Sequence, residues 1–264
     1  MPLKRTSIAI LATTAVVSSY QTSFSASLSA EYDVYFSRIP VGEFATQIVV
    51  NGNSYSMTGT GKSNRIVSVI KKTKGGFSSR GTINGTSLRP ELHGLTYRTG
   101  DKKGNLSMNF GDTSVTKVTA TPLIKYKPGS VTVEKGLLAS VIDPASALLF
   151  PVPAGQAENG NAICNRSTPI FDGKYRFDLQ FRFKRASNKS TSGFSGKVFT
   201  CSVTYKPVAG HRPTSKNTKF MRANRDIEVS FARIGSSNYY GLFDFSVPIR
   251  RGVVVGSAST FSGR

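Results

Sequence analysis

Any chemistry in this chain has to come from few residues. Two cysteines, Cys164 and Cys201, and two histidines, His93 and His211, are all it holds of either type. Two cysteines in an exported chain form one disulfide, because the compartment beyond the inner membrane is oxidising. A redox pair would be separated by only two residues. A metal site would need more ligands than His93 and His211 supply. Serine nucleophiles need a base. Gly193-Phe194-Ser195-Gly196 falls one residue short of a nucleophile elbow, and both histidines, near Pro90 and Gly94 or Gly210 and Pro213, read as loop surface. Gly61-Lys62-Ser63 invites a phosphate-loop reading, but Ser56 stands where the first glycine is required. Asp226 and Glu228 share a strand face at about 7 Å, a separation that suits glycosidic hydrolysis. Ile227, Val229 and Phe231 claim the core side, however, which leaves both acids solvated. Tyr239-Tyr240 could stack on a sugar, yet adjacent strand residues point to opposite faces. The sequons at Asn84, Asn105, Asn165 and Asn188 matter only in a eukaryotic secretory pathway, and we read them as chance. No catalytic, metal or cofactor set emerges, so the expectation is a non-enzymatic protein.

The elements that would position these residues are strands. In Tyr175 to Phe183, Tyr175, Phe177, Leu179, Phe181 and Phe183 alternate with polar residues, placing five large apolar groups on one face. Tyr32, Val34 and Phe36 alternate, as do Phe44, Thr46, Ile48 and Val50, after which Asn51-Gly52 supplies residues for a tight hairpin. Leu92 to Tyr97 and Leu106 to Phe110 flank a longer hairpin loop over Gly100 to Gly104. Val198 to Tyr205, Ile227 to Phe231, Phe243 to Val247 and Val253 to Ser257 complete the set. Asp143-Pro144 caps a short helix over Ala145 to Phe150, stopped by Pro151 and Pro153. Ile66, Val69 and Ile70 give a second helical spacing over Arg65 to Lys72. Ala186 to Gly196, rich in Lys, Ser and Gly, reads as a mobile loop.

The N-terminus reads as an address. Lys4 and Arg5 precede an apolar run over Ile8 to Val17, followed by a small, serine-rich stretch to Ala30. That order is a secretory signal peptide, and a run of about ten residues is too short to cross a bilayer. We expect a signal peptide over residues 1–30, a mature start between Ala26 and Glu31, and one soluble exported domain over residues 31–264. No cysteine lies near the cut to carry a lipid anchor. The net charge of +21 falls to +19 when Lys4 and Arg5 are removed. Between Asp178 and Asp226 there is no acid but eleven basic residues, and Phe44 to Pro90 is acid-free with seven. Such a field attracts polyanions, here anionic envelope surfaces. No nucleic acid is expected in function.

Four segments resemble a family of Gram-negative periplasmic proteins, the domain of unknown function DUF3108. They are Tyr32-Asp33-Val34-Tyr35-Phe36 leading to Val41-Gly42-Glu43; Ile142-Asp143-Pro144-Ala145-Ser146-Ala147-Leu148-Leu149; Phe171-Asp172-Gly173-Lys174-Tyr175; and Cys201 to Tyr205 with Pro207-Val208-Ala209-Gly210. The resemblance implies a periplasmic, mostly antiparallel, strongly curled sheet, a half-barrel or β-spiral akin to lipoprotein carriers and envelope-integrity proteins. It brings no catalytic residues. The basicity and the segment Ala186 to Gly196 look like departures from the family.

The expected fold is therefore all-β, with one or two short helices. The expected function is binding of an envelope lipid, amphiphile or lipoprotein in cell-envelope maintenance. Tyr175, Phe177, Leu179, Phe181 and Phe183 would form the apolar face, with Arg182 and Lys184 meeting anionic headgroups. The alternatives are a scaffold with a filled core, acting through its basic outer surface, and an envelope hydrolase.

Overall fold

The computed structural model describes residues 25–63 and 72–264. Seven strands run up and down in the first half: β1 (Ser25–Phe36), β2 (Ile39–Asn51), β3 (Ser54–Ser63), β4 (Thr73–Asn84), β5 (Ser87–Thr99), β6 (Lys102–Phe110) and β7 (Val115–Thr121). The second half holds β8 (Leu149–Pro151), helix α1 (Gly160–Cys164), β9 (Arg166–Phe171), β10 (Arg176–Thr191) and β11 (Phe194–Ala209). Helix α2 (Lys216–Ala223), β12 (Ile227–Arg233), β13 (Tyr239–Ile249) and β14 (Gly252–Gly263) complete it. All pair in one sheet, ordered β7-β6-β5-β4-β3-β2-β1-β14-β13-β12-β11-β10-β9, with β8 on the side of β13. Every ladder is antiparallel. Two meanders thus meet where β1 pairs β14.

Period-two alternation sets the inside. In β1 and β2, Ala26, Leu28, Ala30, Tyr32, Ile48 and Val50 are buried while their neighbours face water. The edges β7 and β9 form no ladder with each other. The segment connecting β7 to β8 lies in that gap: Ala139 bridges Ser114, and Ile142 bridges Ile170 in parallel. Met108, Val141 and Phe171 pack there, so side chains close the seam where the ladder does not.

Several expectations need correction. Residues 1–24, with the basic and apolar parts of the expected signal peptide, and most of the helical spacing over Arg65 to Lys72 lie outside the described residues. Ser25–Ala30, placed at the end of the expected signal peptide, is strand: Ser27 exchanges backbone hydrogen bonds of 3.0 and 2.9 Å with Arg264. The sheet therefore starts six residues before Glu31. The β2–β3 hairpin turns on Gly52-Asn53, one residue later than expected, with φ of +56° at Gly52. The loop over Gly100 to Gly104 is a two-residue turn, because Thr99 pairs Lys102 and Lys103 lies within β6. Asp143 does cap, but the helix over Ala145 to Phe150 is one 3-10 turn (Ser146–Leu148), since pairing of Leu149–Pro151 with β13 competes with it. Ala186 to Gly196 is a hairpin rather than a mobile loop. Gly193 supplies its turn at φ +79°, and Thr191 and Ser192 bond onto β14. Cys164 in α1 is bonded to Cys201 in β11, with Cα atoms 5.5 Å apart. Among the described residues no helix is long and apolar enough to cross a membrane.

Candidate functional site

Between the two meanders lies an apolar cavity of about 600 Å³ that is open to solvent. One wall comes from Phe44, Phe77, Leu95 and Tyr97 of the first half. The other comes from Phe177, Leu179 and Phe181 of β10, Val229 and Phe231 of β12, and Phe245 and Val247 of β13. Almost every group is apolar. Tyr32 stacks on Phe44 with ring centroids 4.1 Å apart, and its hydroxyl donates to the Leu242 carbonyl. Phe150 stacks on Phe231 at 3.9 Å and meets Phe181 edge-on at 5.1 Å. These rings hold the deep wall rigid, while Phe177, Leu179, Tyr97 and Val247 keep partial exposure.

The floor is the Asp143 turn, which contributes Pro144, Ala147 and Leu148. Asp143 is fully buried, and its Oδ1 accepts from the Ala145 and Ser146 amides at 2.9 and 3.0 Å. Its Oδ2 accepts from Ser79 Oγ of β4 at 2.8 Å and from Ser146 Oγ at 2.5 Å. Tyr55 of β3 bonds Ser146 Oγ at 2.8 Å. His93 Nδ1 of β5 lies 3.0 Å from Oδ1, close enough for an ion pair, although its N–H is not aimed for a hydrogen bond. Burial alone would push the Asp143 carboxyl up, but the His93 contact and the Ser146 bonds outweigh it and hold the group below the usual carboxylate range. Ser, His and Asp thus meet, but in the wrong order for acyl transfer. Both hydroxyls donate to the carboxylate itself, so neither is bonded to the imidazole that would serve as the base of a triad. The cluster fastens the turn to β3, β4 and β5 and thereby fixes the floor of the cavity.

The expected site residues divide. Phe177, Leu179 and Phe181 line the cavity. Tyr175 lies outside it, its ring 4.5 Å from that of His211. Phe183 is 37% exposed and covers Gly160 of α1, because a register shift between Phe183 and Arg185 ends the alternation. Arg182 and Lys184 do not line the cavity either. Arg182 is exposed, and Lys184 with Arg185 clasps Glu228, whose carboxyl is pulled down to about 2 by Arg185 first and Lys184 second. His93 is not loop surface, and His211, though in the loop between β11 and α2, is not fully exposed. His93 lies buried in β5, opposite Ser79, and His211 is half-buried, bonding the Ala209 carbonyl and the Tyr205 hydroxyl. Sequence reading missed Ser79, Ser146, Tyr55 and His93 as one cluster. The alternation of β5 was the available signal, since it puts His93 in phase with Leu95.

A curled antiparallel sheet around an apolar cavity defines the class, a β-barrel-like domain. The chain belongs to the family described as a protein of unknown function (DUF3108), whose model matches residues 31–257. It is also similar to the crystal structure of a β-barrel-like protein, a domain of unknown function DUF1849, from Brucella abortus. That match has 12% identity and a TM-score of 0.53 over 90% of this chain and 98% of that one. At that identity the likeness concerns the fold. No curated protein matches.

Proposed function

We propose that this protein is a non-enzymatic, exported binder of amphiphiles in the cell envelope, and that the apolar cavity takes the acyl part of a lipid or lipoprotein. The observation that carries the reading is the cavity itself. Its volume of about 600 Å³ falls within the roughly 300–1,000 Å³ of small-molecule sites. Its walls offer almost no polar partner to water, so apolar chains gain by entering. The tethered Asp143 turn keeps the floor in place without a ligand, which lowers the cost of binding.

The test is displacement of a fluorescent fatty acid from purified protein. Leu179→Trp and Val247→Trp add bulk to half-buried cavity positions and should lower uptake about tenfold while leaving the thermal melt nearly unchanged. Phe181→Asp places an unpaired charge in the deep wall and should abolish uptake, at a cost in stability. If purified protein takes up neither fatty acid nor phospholipid, the carrier reading is dropped and the scaffold reading takes its place.

A further inference from the structure

The outer face of the first meander carries an ordered charge pattern that lipid binding in the interior leaves unused. Strand register aligns Asp33, Glu43, Lys62, Lys74, Arg98 and Lys103 in one row across β1 to β6, all exposed. Glu43 pairs with Lys62 at 2.8 Å. Among the described residues no carboxylate pairs with Lys74, Arg98 or Lys103. Like charges on neighbouring strands, about 4.8 Å apart, repel one another. A bound anion relieves that repulsion.

The next row is hydrogen-bonding and, beyond Glu31 at its β1 end, uncharged: Thr60, Gly76, Thr96, Asn105 and Thr121, again in register. Both rows border one outer cleft of about 990 Å³. We propose that this cleft binds a strand of anionic polysaccharide, its acidic groups on Lys74, Arg98 and Lys103 and its hydroxyls on the Thr96 and Asn105 row. Two features select that ligand. The surface is concave, which suits a strand better than a flat bilayer. Hydroxyl and amide groups beside the cations match sugar hydroxyls.

The test compares two triple variants of equal charge change. Lys74→Ser/Arg98→Ser/Lys103→Ser removes the unpaired cations of the row, and Arg182→Ser/Lys206→Ser/Lys219→Ser removes three exposed cations from the second half of the chain. Binding of dextran sulfate by calorimetry should weaken at least about tenfold in the first variant and less than about twofold in the second. Neutral dextran should not bind. Fatty-acid displacement should be unchanged in both variants, so the outcome is independent of the interior site. Equal losses in the two variants would overturn the proposal. So would tighter binding of polyphosphate, oligo-thymidine or phosphatidylglycerol vesicles than of dextran sulfate.

Discussion

Asp143 is where the residue scale decides most. A fully buried carboxylate is tolerated only when it is hydrogen-bonded or paired; two amides and two hydroxyls donate to this one, and His93 lies 3.0 Å from Oδ1. Asp143→Ala leaves the Ser79 and Ser146 hydroxyls and the turn amides without their acceptor. We expect it to cost about 3–5 kcal/mol, the range for breaking a buried charge pair, measured by urea unfolding. The pH dependence has a definite sign. Because the folded carboxyl is held below its ordinary value, the stability it contributes is present above the unfolded carboxylate range. That stability is lost as pH falls through the folded value, so wild type should lose stability more steeply in acid than Asp143→Asn. Parallel acid profiles for the two proteins would refute this. Half of the cluster was legible in the sequence. Asp-Pro before a small-residue turn announced the cap, and its amide bonds are present. The partners were not legible, because Ser79 and His93 reach Asp143 only through the pairing of β4 with β5, and no local pattern reports a contact 50 or more residues distant.

At the scale of elements, alternation was a reliable guide wherever apolar side chains marked it. Phe177, Leu179 and Phe181 face the cavity as period two requires, and the reading failed at Phe183, where the ladder slips by one residue. A bulge is set by the partner strand as much as by its own residues. Strands β3 and β4 escaped notice for another reason. Their inward positions include Gly59, Gly61 and Gly75, which carry no hydrophobic signal. The same blindness turned the β10–β11 hairpin into a loop, since its inner contacts come from few residues. Phe194 is the chief one, 5.2 Å from the Phe243 ring and 5.3 Å from the Phe261 ring. Lys189 pairs with Asp244 beside it. Phe194→Ala should therefore free the hairpin tip from β14 and lower stability by about 2–3 kcal/mol, less than a full core phenylalanine because the ring is half-buried. Hydrogen exchange should show the Phe261 amide, which donates to the Ser192 carbonyl at 2.8 Å, losing protection first. Unchanged protection there would mean that the hairpin is held by other contacts.

For the whole molecule, the decisive joint is the pairing of β1 with β14, which unites two meanders that the chain itself connects only through the seam segment. Each meander alone would present a long unpaired edge. The N-terminal strand therefore bears on where an exported chain can be cut. Ala26, Leu28 and Ala30 are buried to 2% exposure or less, and Ser27 is the last residue to pair with the C-terminus. Cutting after Ala30 removes one buried leucine and two buried alanines, about 4 kcal/mol of burial at roughly 2–3 for leucine and 0.8 per methyl. It also bares the end of β14. Cutting after Ser25 leaves all three in place and puts small residues, Ser25 and Ser23, at the −1 and −3 positions. The early end of the Ala26 to Glu31 window is thus the one compatible with the fold. N-terminal sequencing of protein from fractionated cells should find a mature start no later than Ala26. A recombinant chain begun at Glu31 should melt well below one begun at Ser25. A native start at Glu31, with equal melting of the two chains, would show that β1 needs only its second half to hold the meanders together.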